Sequence, residues 1–295
     1  MLDCIIVGSG PAGISAALTL KANGKSFMMF GSPNLSEKIS KAELIRNYPG
    51  LSNVTGKDFA AALKAQLAEA EIEVKNEKVA GVYALKEQFS VLTQENNAYE
   101  SRTVILACGV ESIKPIDGEE EFLGRGVSYC ATCDGFLYKG KTIAVLCTSK
   151  RLEHEIHYLA NLAEKVYLIA MYKEVAQMPN NVTVLRKMPK QIVGARRVEK
   201  VVFATSPAED IPAELPVDGV FALRECIAPA VLVGGLETEN NHVKIDRNPA
   251  TNLKGCFAAG DITGRPYQYA KASGDGNIAA HAVVAYLSAL KNTTV

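Results

Sequence analysis

The sequence predicts an α/β protein built on two strand–helix–strand units of the dinucleotide-binding type. A glycine-rich turn, Gly8-Ser9-Gly10-Pro11-Ala12-Gly13, stands between a short apolar strand and a helix-length run near the N-terminus. A second alternation of strand, helix and strand runs from Thr142 to Ala170. Towards the C-terminus an apolar strand leads into Gly260-Asp261, ahead of another helical stretch. Strands alternating with helices of this length give a parallel sheet covered by helices. The 295 residues allow two domains, and 48% hydrophobic with 22% charged residues is ordinary for a globular chain.

Taken in order, Asp3-Cys4-Ile5-Ile6-Val7 is a short buried strand, Ile14 to Asn23 a helix, and Lys25 to Phe30 a second strand. The turn between them fits G-x-G-x-x-G. Its glycines permit a tight turn, close backbone approach to a diphosphate and tight helix–strand packing, with the anion at the positive end of the helix. An acidic residue often closes the second strand and holds the adenosine ribose. Phe30-Gly31-Ser32 stands there, so the ribose contact is unassigned. A polar loop, 34–50, ends in Asn47-Tyr48-Pro49-Gly50. Phe59 to Glu71 has the spacing of an amphipathic helix, with Phe59, Leu63 and Leu67 on one face. Strand-like pieces follow at Glu73–Lys75, Val79–Leu85, Phe89–Gln94 and Thr103–Ala107, the last running into Cys108-Gly109. Pro115 and Asp117-Gly118 mark a linker.

Cys130-Ala131-Thr132-Cys133-Asp134-Gly135 then places two thiols two residues apart, with an acid behind the second. Such a pair is poised for thiol–disulfide exchange. The alternative is half of a zinc site, which needs two further Cys or His ligands at similar spacing. No second CxxC exists, and the nearest histidines, His154 and His157, lie in a helical segment without another cysteine pair. The spacing favours a redox dithiol.

The second unit comprises strand Thr142–Leu146, helix Leu152–Ala163 and strand Lys165–Ala170. Its connecting turn, Cys147-Thr148-Ser149-Lys150-Arg151-Leu152, contains no glycine. Side chains there crowd a diphosphate, although Lys150 and Arg151 are cationic. The layout of a nucleotide unit is present and its phosphate turn is not. Residues 182–221 read as strands and turns. Within them Arg186, Lys187, Lys190, Arg196, Arg197 and Lys200 face only Glu199 in charge, and a solvated hairpin face is the plain reading. Near the C-terminus, Gly260-Asp261 lets a backbone approach a ligand while the carboxylate accepts a hydroxyl. Gly274-Asp275-Gly276 is expected to open a helix from Asn277 to Leu290.

Composition narrows the function. Lys plus Arg equals Asp plus Glu at 32 each, so overall charge gives no argument for nucleic-acid or membrane binding. No apolar run reaches transmembrane length, and the chain enters its first strand without a basic region or cleavage signature, so no signal peptide is expected. Of seven cysteines, Cys4, Cys108, Cys147, Cys226 and Cys256 lie singly, a pattern suited to a reducing compartment; the cytoplasm is the expected location.

Over nearly its whole length the chain resembles the low-molecular-weight thioredoxin reductases. The matching segments are Gly8–Gly13, Asn47–Gly50, Cys130-Ala131-Thr132-Cys133-Asp134 and Phe257-Ala258-Ala259-Gly260-Asp261. The resemblance implies two Rossmann-like dinucleotide-binding-type domains, the second inserted into the first. The FAD domain comprises residues 1–112 plus 245–295, and the insertion, 113–244, carries the cysteines and in the family binds NADPH. It implies FAD contacts at Gly8, Gly10, Pro11, Ala12, Gly13, Asn47, Gly109, Gly260 and Asp261. Lys38 stands where the family often has Gln, Gln268 matches a family Gln, and Tyr267 replaces the usual Arg; Lys38 and Tyr267 are equally well read as plain surface residues.

By the same resemblance Cys133 faces the flavin, Cys130 attacks the thioredoxin disulfide and Asp134 moves the proton, a role that calls for a raised pKa. A helix N-cap is the other reading of Asp134. A homodimer is implied, with a rotation of the inserted domain that presents the dithiol alternately to flavin and partner. Two departures matter. The family's second turn is glycine-rich where Cys147 to Leu152 stand, and its phosphate-gripping H-R-R is replaced by Ala170-Met171-Tyr172. That combination is similar to the ferredoxin-dependent flavin thioredoxin reductases, so reduced ferredoxin is the expected donor. Ferredoxin is typically acidic, which makes Arg186–Lys200 and Lys150/Arg151 candidates for steering it. An NADPH-dependent reductase with an atypical site and a non-enzymatic flavin-bound redox sensor are the alternatives. The acid behind Cys133 counts against the sensor.

Overall fold

A run of six strand residues, Leu2–Val7 (β1), buries Cys4 to Val7 and starts the central sheet of the first unit. The computed structural model describes all residues except Lys41, 111–114, 204–212, 225–227 and 294–295, and the side chains of 37, 38 and 291–293 are also outside the description. The chain divides into two compact units, Met1–Val110 with Ala228–Val295, and Glu111–Ile227.

In the first unit, helix α1 (Pro11–Ala22) follows β1 directly, with proline at its start, where a missing N–H costs nothing. Strand β2 (Phe27–Phe30), the short helix α2 (Glu37–Ser40) and α3 (Gly56–Glu69) come next. Thr55 caps α3 by accepting from the Asp58 N–H at 3.1 Å, so this helix begins three residues before the expected Phe59. Strands β3 (Val74–Lys75), β4 (Val79–Ala84), β5 (Phe89–Thr93) and β6 (Ala98–Leu106) complete the first pass.

The second unit contains β7 (Val127–Ser128), helix α4 (Ala131–Asp134), β8 (Thr142–Cys147), α5 (Glu153–Leu162), β9 (Lys165–Ala170) and β10 (Val182–Leu185). It continues with β11 (Pro189–Gly194), β12 (Val198–Phe203), β13 (Glu214–Pro216) and β14 (Gly219–Leu223). The chain then returns to the first unit through α6 (Pro229–Leu232), β15 (Thr238–Glu239), β16 (His242–Val243), β17 (Cys256–Ala258) and α7 (Tyr269–Thr293).

The sheet of the first unit runs β3-β2-β1-β6, all parallel, with β17 parallel on the far side of β6 and β5-β4 added antiparallel. Strand β6 is long enough to serve both: Ala98 to Ser101 pair with β5 and Val104 to Leu106 with β17. The second unit repeats the theme with the parallel sheet β10-β9-β8-β14-β7 and an antiparallel β11-β12-β13. Two doubly wound units, the second inserted into the first, are the architecture. Lys190 to Lys200 of the basic run lie on the β11–β12 hairpin, with Arg186 and Lys187 ahead of it.

Two expectations are corrected. The segment 228–244, expected in the insertion, belongs to the first unit: Val233 bridges Val82 of β4, and Glu237 is held by the Asn252 side chain through its N–H. The last helix begins at Tyr269, so Gly274-Asp275-Gly276 lies inside it. Gly276 is there for packing. A Cβ on Gly276 meets the carbonyl oxygen of Ala12 at 2.0 Å, so only glycine lets α7 cross α1 this closely.

Glu77 ties the β5–β6 turn to the strand before it. It accepts from Thr93 Oγ1 at 2.9 Å, Asn97 Nδ2 at 3.2 Å and Tyr99 Oη at 3.0 Å, and pairs with Lys75 at 3.1 Å. Its partial burial alone raises the carboxyl pKa, but the bonds from Asn97, Lys75, Thr93 and Tyr99 outweigh it and hold the group at about 2. A depressed folded pKa gives stability that is present above the unfolded value and lost as pH falls through the folded one. Acid titration of stability is therefore expected to show a loss between about pH 4 and pH 2 that flattens in Glu77→Gln.

Candidate active site

The glycine turn of the first unit is shaped by contact. A Cβ on Gly8, whose φ is +122°, meets the Ala107 carbonyl oxygen at 2.3 Å, and one on Gly13 meets the Gly8 carbonyl oxygen at 1.9 Å. Gly10, by contrast, has nothing within 4 Å of that position. No side chain caps α1 at Gly10, so the helix presents its first N–H groups to an anion. An open, uncapped helix start over a tight turn fits the diphosphate of a dinucleotide such as FAD.

Several of the other residues expected at the cofactor lie beside this turn or pair with one another. Gly109 follows the end of β6, beside Gly8 through Ala107 and Cys108. Gly260, at φ +84°, packs on Ala12, where a Cβ comes to 2.9 Å of the alanine methyl, and Asp261 follows it. Strands β1, β6 and β17 all end at this edge, the one at which parallel sheets bind ligands. Asn47 donates from Nδ2 to Gln268 Oε1 at 2.6 Å, joining two expected residues 221 positions apart. Tyr267 is taken up by His242, at 2.6 Å from its hydroxyl to Nε2, and by Arg265 over its ring at 5.3 Å. The Lys38 side chain lies outside the described residues.

In the second unit Cys130 and Cys133 form a disulfide, with Cα atoms 5.3 Å apart. Cys130 is the N-cap of α4, and the Cys133 N–H donates to its Sγ at 3.2 Å. Once the disulfide opens, that N–H stabilises a thiolate on Cys130. Ser128, absent from the expectations, organises the site. Its hydroxyl lies 2.7 Å from Asp134 Oδ2 and 3.2 Å from the Cys130 carbonyl, and it accepts from the Cys130 N–H at 3.1 Å. Asp134 thus meets Ser128 and makes no side-chain cap to the turn that follows. A serine two residues before a cysteine has no sequence signature, so pattern reading had no means of finding it.

The remaining described cysteines are poor competitors. Burial pushes the thiols of Cys4 and Cys256 up to about 12, and that of Cys147 up to about 11. Cys108 is in no disulfide and is half-buried, and Cys226 lies outside the described residues. Beyond the dithiol, Phe136 and Leu137 are 62% and 53% exposed. A hollow of about 450 Å³ beside them is lined by Leu137, Tyr138, Arg125, Lys141, Arg196 and Arg197.

At the second nucleotide-type turn, buried carboxylates stand in the first turn of the helix. Glu153, the first residue of α5, is buried, and its Oε1 accepts from the Tyr172 hydroxyl at 3.0 Å and from the Ala176 N–H at 3.0 Å. Glu155 is buried in the same turn. Cys147 donates to the Ser149 carbonyl at 3.2 Å. Burial pushes the Tyr172 phenol well up, and neighbouring Cys147 and Glu153 push it further, so it stays a neutral donor. Arg186 holds the carbonyls of Tyr172 and Lys173, while Lys150 pairs with Glu174 at 3.8 Å and Lys200 with Glu214 at 2.8 Å.

A dinucleotide cradle in one unit and a closed dithiol in the other define a flavin-type disulfide oxidoreductase. Residues 2–276 match the pyridine nucleotide-disulphide oxidoreductase family, and the chain belongs to it. Within it the protein is a thioredoxin-reductase-type flavoprotein that binds FAD. It is 32% identical to the thioredoxin reductase of Helicobacter pylori, over 97% of this chain and 99% of that one. Among solved structures it is similar to two of a ferredoxin-flavin thioredoxin reductase from Clostridium acetobutylicum. One is 41% identical, covering 98% of both chains, at a TM-score of 0.90. The other is 43% identical, covering 97% and 98%, at 0.86.

Proposed function

We propose that the protein reduces thioredoxin through FAD and the Cys130/Cys133 pair, taking its electrons from reduced ferredoxin rather than NADPH. The carrying observation is the buried Glu153 at the start of α5, bonded to Tyr172. A helix N-terminus favours an anion, and here a buried carboxylate of the chain already stands in the first turn. A nucleotide phosphate brought to this point meets like charge and a phenol where arginines are needed. The solved relatives that use ferredoxin by name support the same donor.

FAD, when bound, supplies the conversion of single electrons into a pair. Gly8, Gly10, Pro11, Ala12 and Gly13 hold its diphosphate, with Gly109, Asn47, Gln268, Gly260 and Asp261 along the rest of it. Lys38 and Tyr267 are the outlying candidates. In the dithiol form, the Cys130 thiolate attacks one sulfur of the thioredoxin disulfide and displaces the other as a thiolate, which takes up a proton. Cys133 then attacks Cys130 Sγ in the mixed disulfide, regenerating the disulfide and releasing the second thioredoxin thiol. Asp134, held by Ser128, moves protons at the pair. Cys130 is buried in this structure, so exchange calls for a change that uncovers it.

Exposed Phe136 and Leu137 provide the apolar face next to the dithiol for the protein substrate. Of the basic run, Arg186 holds two backbone carbonyls and Lys200 pairs with Glu214, while Arg196 and Arg197 line a hollow with Arg125 and Lys141, and that cluster is the proposed steering surface for acidic ferredoxin. A homodimer in the cytoplasm is the proposed working form. The energetics allow the transfer: a ferredoxin near about −400 mV lies about 130 mV below thioredoxin at about −270 mV, about 6 kcal/mol downhill for two electrons. The test is steady-state formation of dithiol thioredoxin with ferredoxin, NADPH or NADH as sole donor. Turnover with ferredoxin alone is expected. Equal turnover with NADPH overturns the proposal.

A further inference from the structure

We propose that Lys271 is a positioning residue for FAD, locking the turn that carries Asp261 against the phosphate-binding turn of α1. Lys271 lies in the first turn of α7, where the helix dipole disfavours a cation. Four acceptors hold it there. Its Nζ donates to the Gly260 carbonyl at 3.0 Å, Thr263 Oγ1 at 3.0 Å and the Gly264 carbonyl at 3.2 Å, and pairs with Asp275 at 2.8 Å. The same Asp275 oxygen accepts from the Gly260 N–H at 3.1 Å. Both polar ends of residue 260 are therefore bracketed, its carbonyl by the lysine and its N–H by the aspartate.

This arrangement fixes more than a loop. Gly260 packs on Ala12 in the first turn of α1, and Gly276, one residue past Asp275, packs on the Ala12 carbonyl. The pair thus couples α7, the Gly260–Thr263 turn and the anion-binding start of α1 at the edge where β1, β6 and β17 end. Preorganising Asp261 at that edge lowers the ordering cost of binding a cofactor. The inference rests on FAD occupying this edge and is independent of which donor reduces it.

The experiment uses full-length apoprotein of the parent, Lys271→Met, Lys271→Arg and Asp275→Asn. FAD is titrated by quenching of its fluorescence, with far-UV circular dichroism and melting of each apoprotein alongside. Losing charged hydrogen bonds that preorganise a site is expected to raise the FAD Kd about tenfold or more in Lys271→Met. Lys271→Arg is expected to recover most of the loss and Asp275→Asn to fall between. A Lys271→Met Kd equal to the parent's, or Lys271→Arg binding as weakly as Lys271→Met, overturns the inference. Should Lys271→Met fail to fold, the arginine and asparagine variants decide it: both matching the parent in FAD affinity overturns it, and a weakened Asp275→Asn with normal melting supports it. These ratios are read without any electron donor, so failure of the ferredoxin reading leaves them interpretable.

Discussion

Replacing Cys130 by serine is expected to lower thioredoxin reduction by at least about a thousandfold, since it removes the sulfur proposed to attack. The change is small in volume and leaves the Cys133 N–H a hydroxyl to donate to, so FAD binding and melting should be retained. Cys133→Ser is expected to lose turnover to a similar degree but in a different way. Its Cys130 still attacks, and with no second thiol to resolve the adduct, a mixed disulfide with thioredoxin accumulates. Non-reducing electrophoresis with mass spectrometry separates the two variants. The buried thiols of Cys4, Cys147 and Cys256 are too weakly acidic to take over. Substantial turnover by either variant contradicts the assignment of the pair.

The largest expected stability effect lies elsewhere in the second unit. Arg224 and Glu119 form a buried pair, 4% and 0% exposed, with Nε and Nη2 reaching Oε1 at 3.1 and 2.9 Å and Nη2 reaching Oε2 at 2.8 Å. Glu119 also accepts from the Ile116 N–H at 3.0 Å. Arg224→Met strands a buried carboxylate and is expected to cost about 3–5 kcal/mol. Removing both charges in Glu119→Leu/Arg224→Met should recover much of that loss, because neither charge then remains unpaired. Urea denaturation followed by far-UV circular dichroism measures both. A cost below about 1 kcal/mol for Arg224→Met is what a solvated surface pair gives and contradicts the burial.

What the sequence made legible was short-range. The glycine turn and the dithiol hexapeptide announce their chemistry within six residues, because each depends on local backbone geometry or on two neighbouring thiols. The missing glycines at Cys147 to Leu152 were equally plain. Hidden were features made by distance. Glu119 and Arg224 are 105 positions apart, and neither reads as buried. Glu153 has the look of an ordinary acid in the first turn of a helix, and only the fold reveals that it is enclosed with Tyr172. The sequence sets the start of α7 after Gly276, whereas the helix begins at Tyr269, and close packing of Gly276 on α1 outweighs glycine's low helix propensity there. Lys271 and Ser128 are hidden although their partners are near in sequence, because the geometry of the intervening turns rather than residue spacing brings those groups together.

The central claim is that electrons enter without a pyridine nucleotide. Anaerobic stopped-flow mixing of the FAD-loaded protein reads this directly through the flavin absorbance near its long-wavelength band. Reduced ferredoxin is predicted to bleach the band rapidly, while micromolar NADPH leaves it unchanged over the same interval. Rapid bleaching by NADPH contradicts the account, because the start of α5 then accommodates the phosphates that Glu153 is held to exclude.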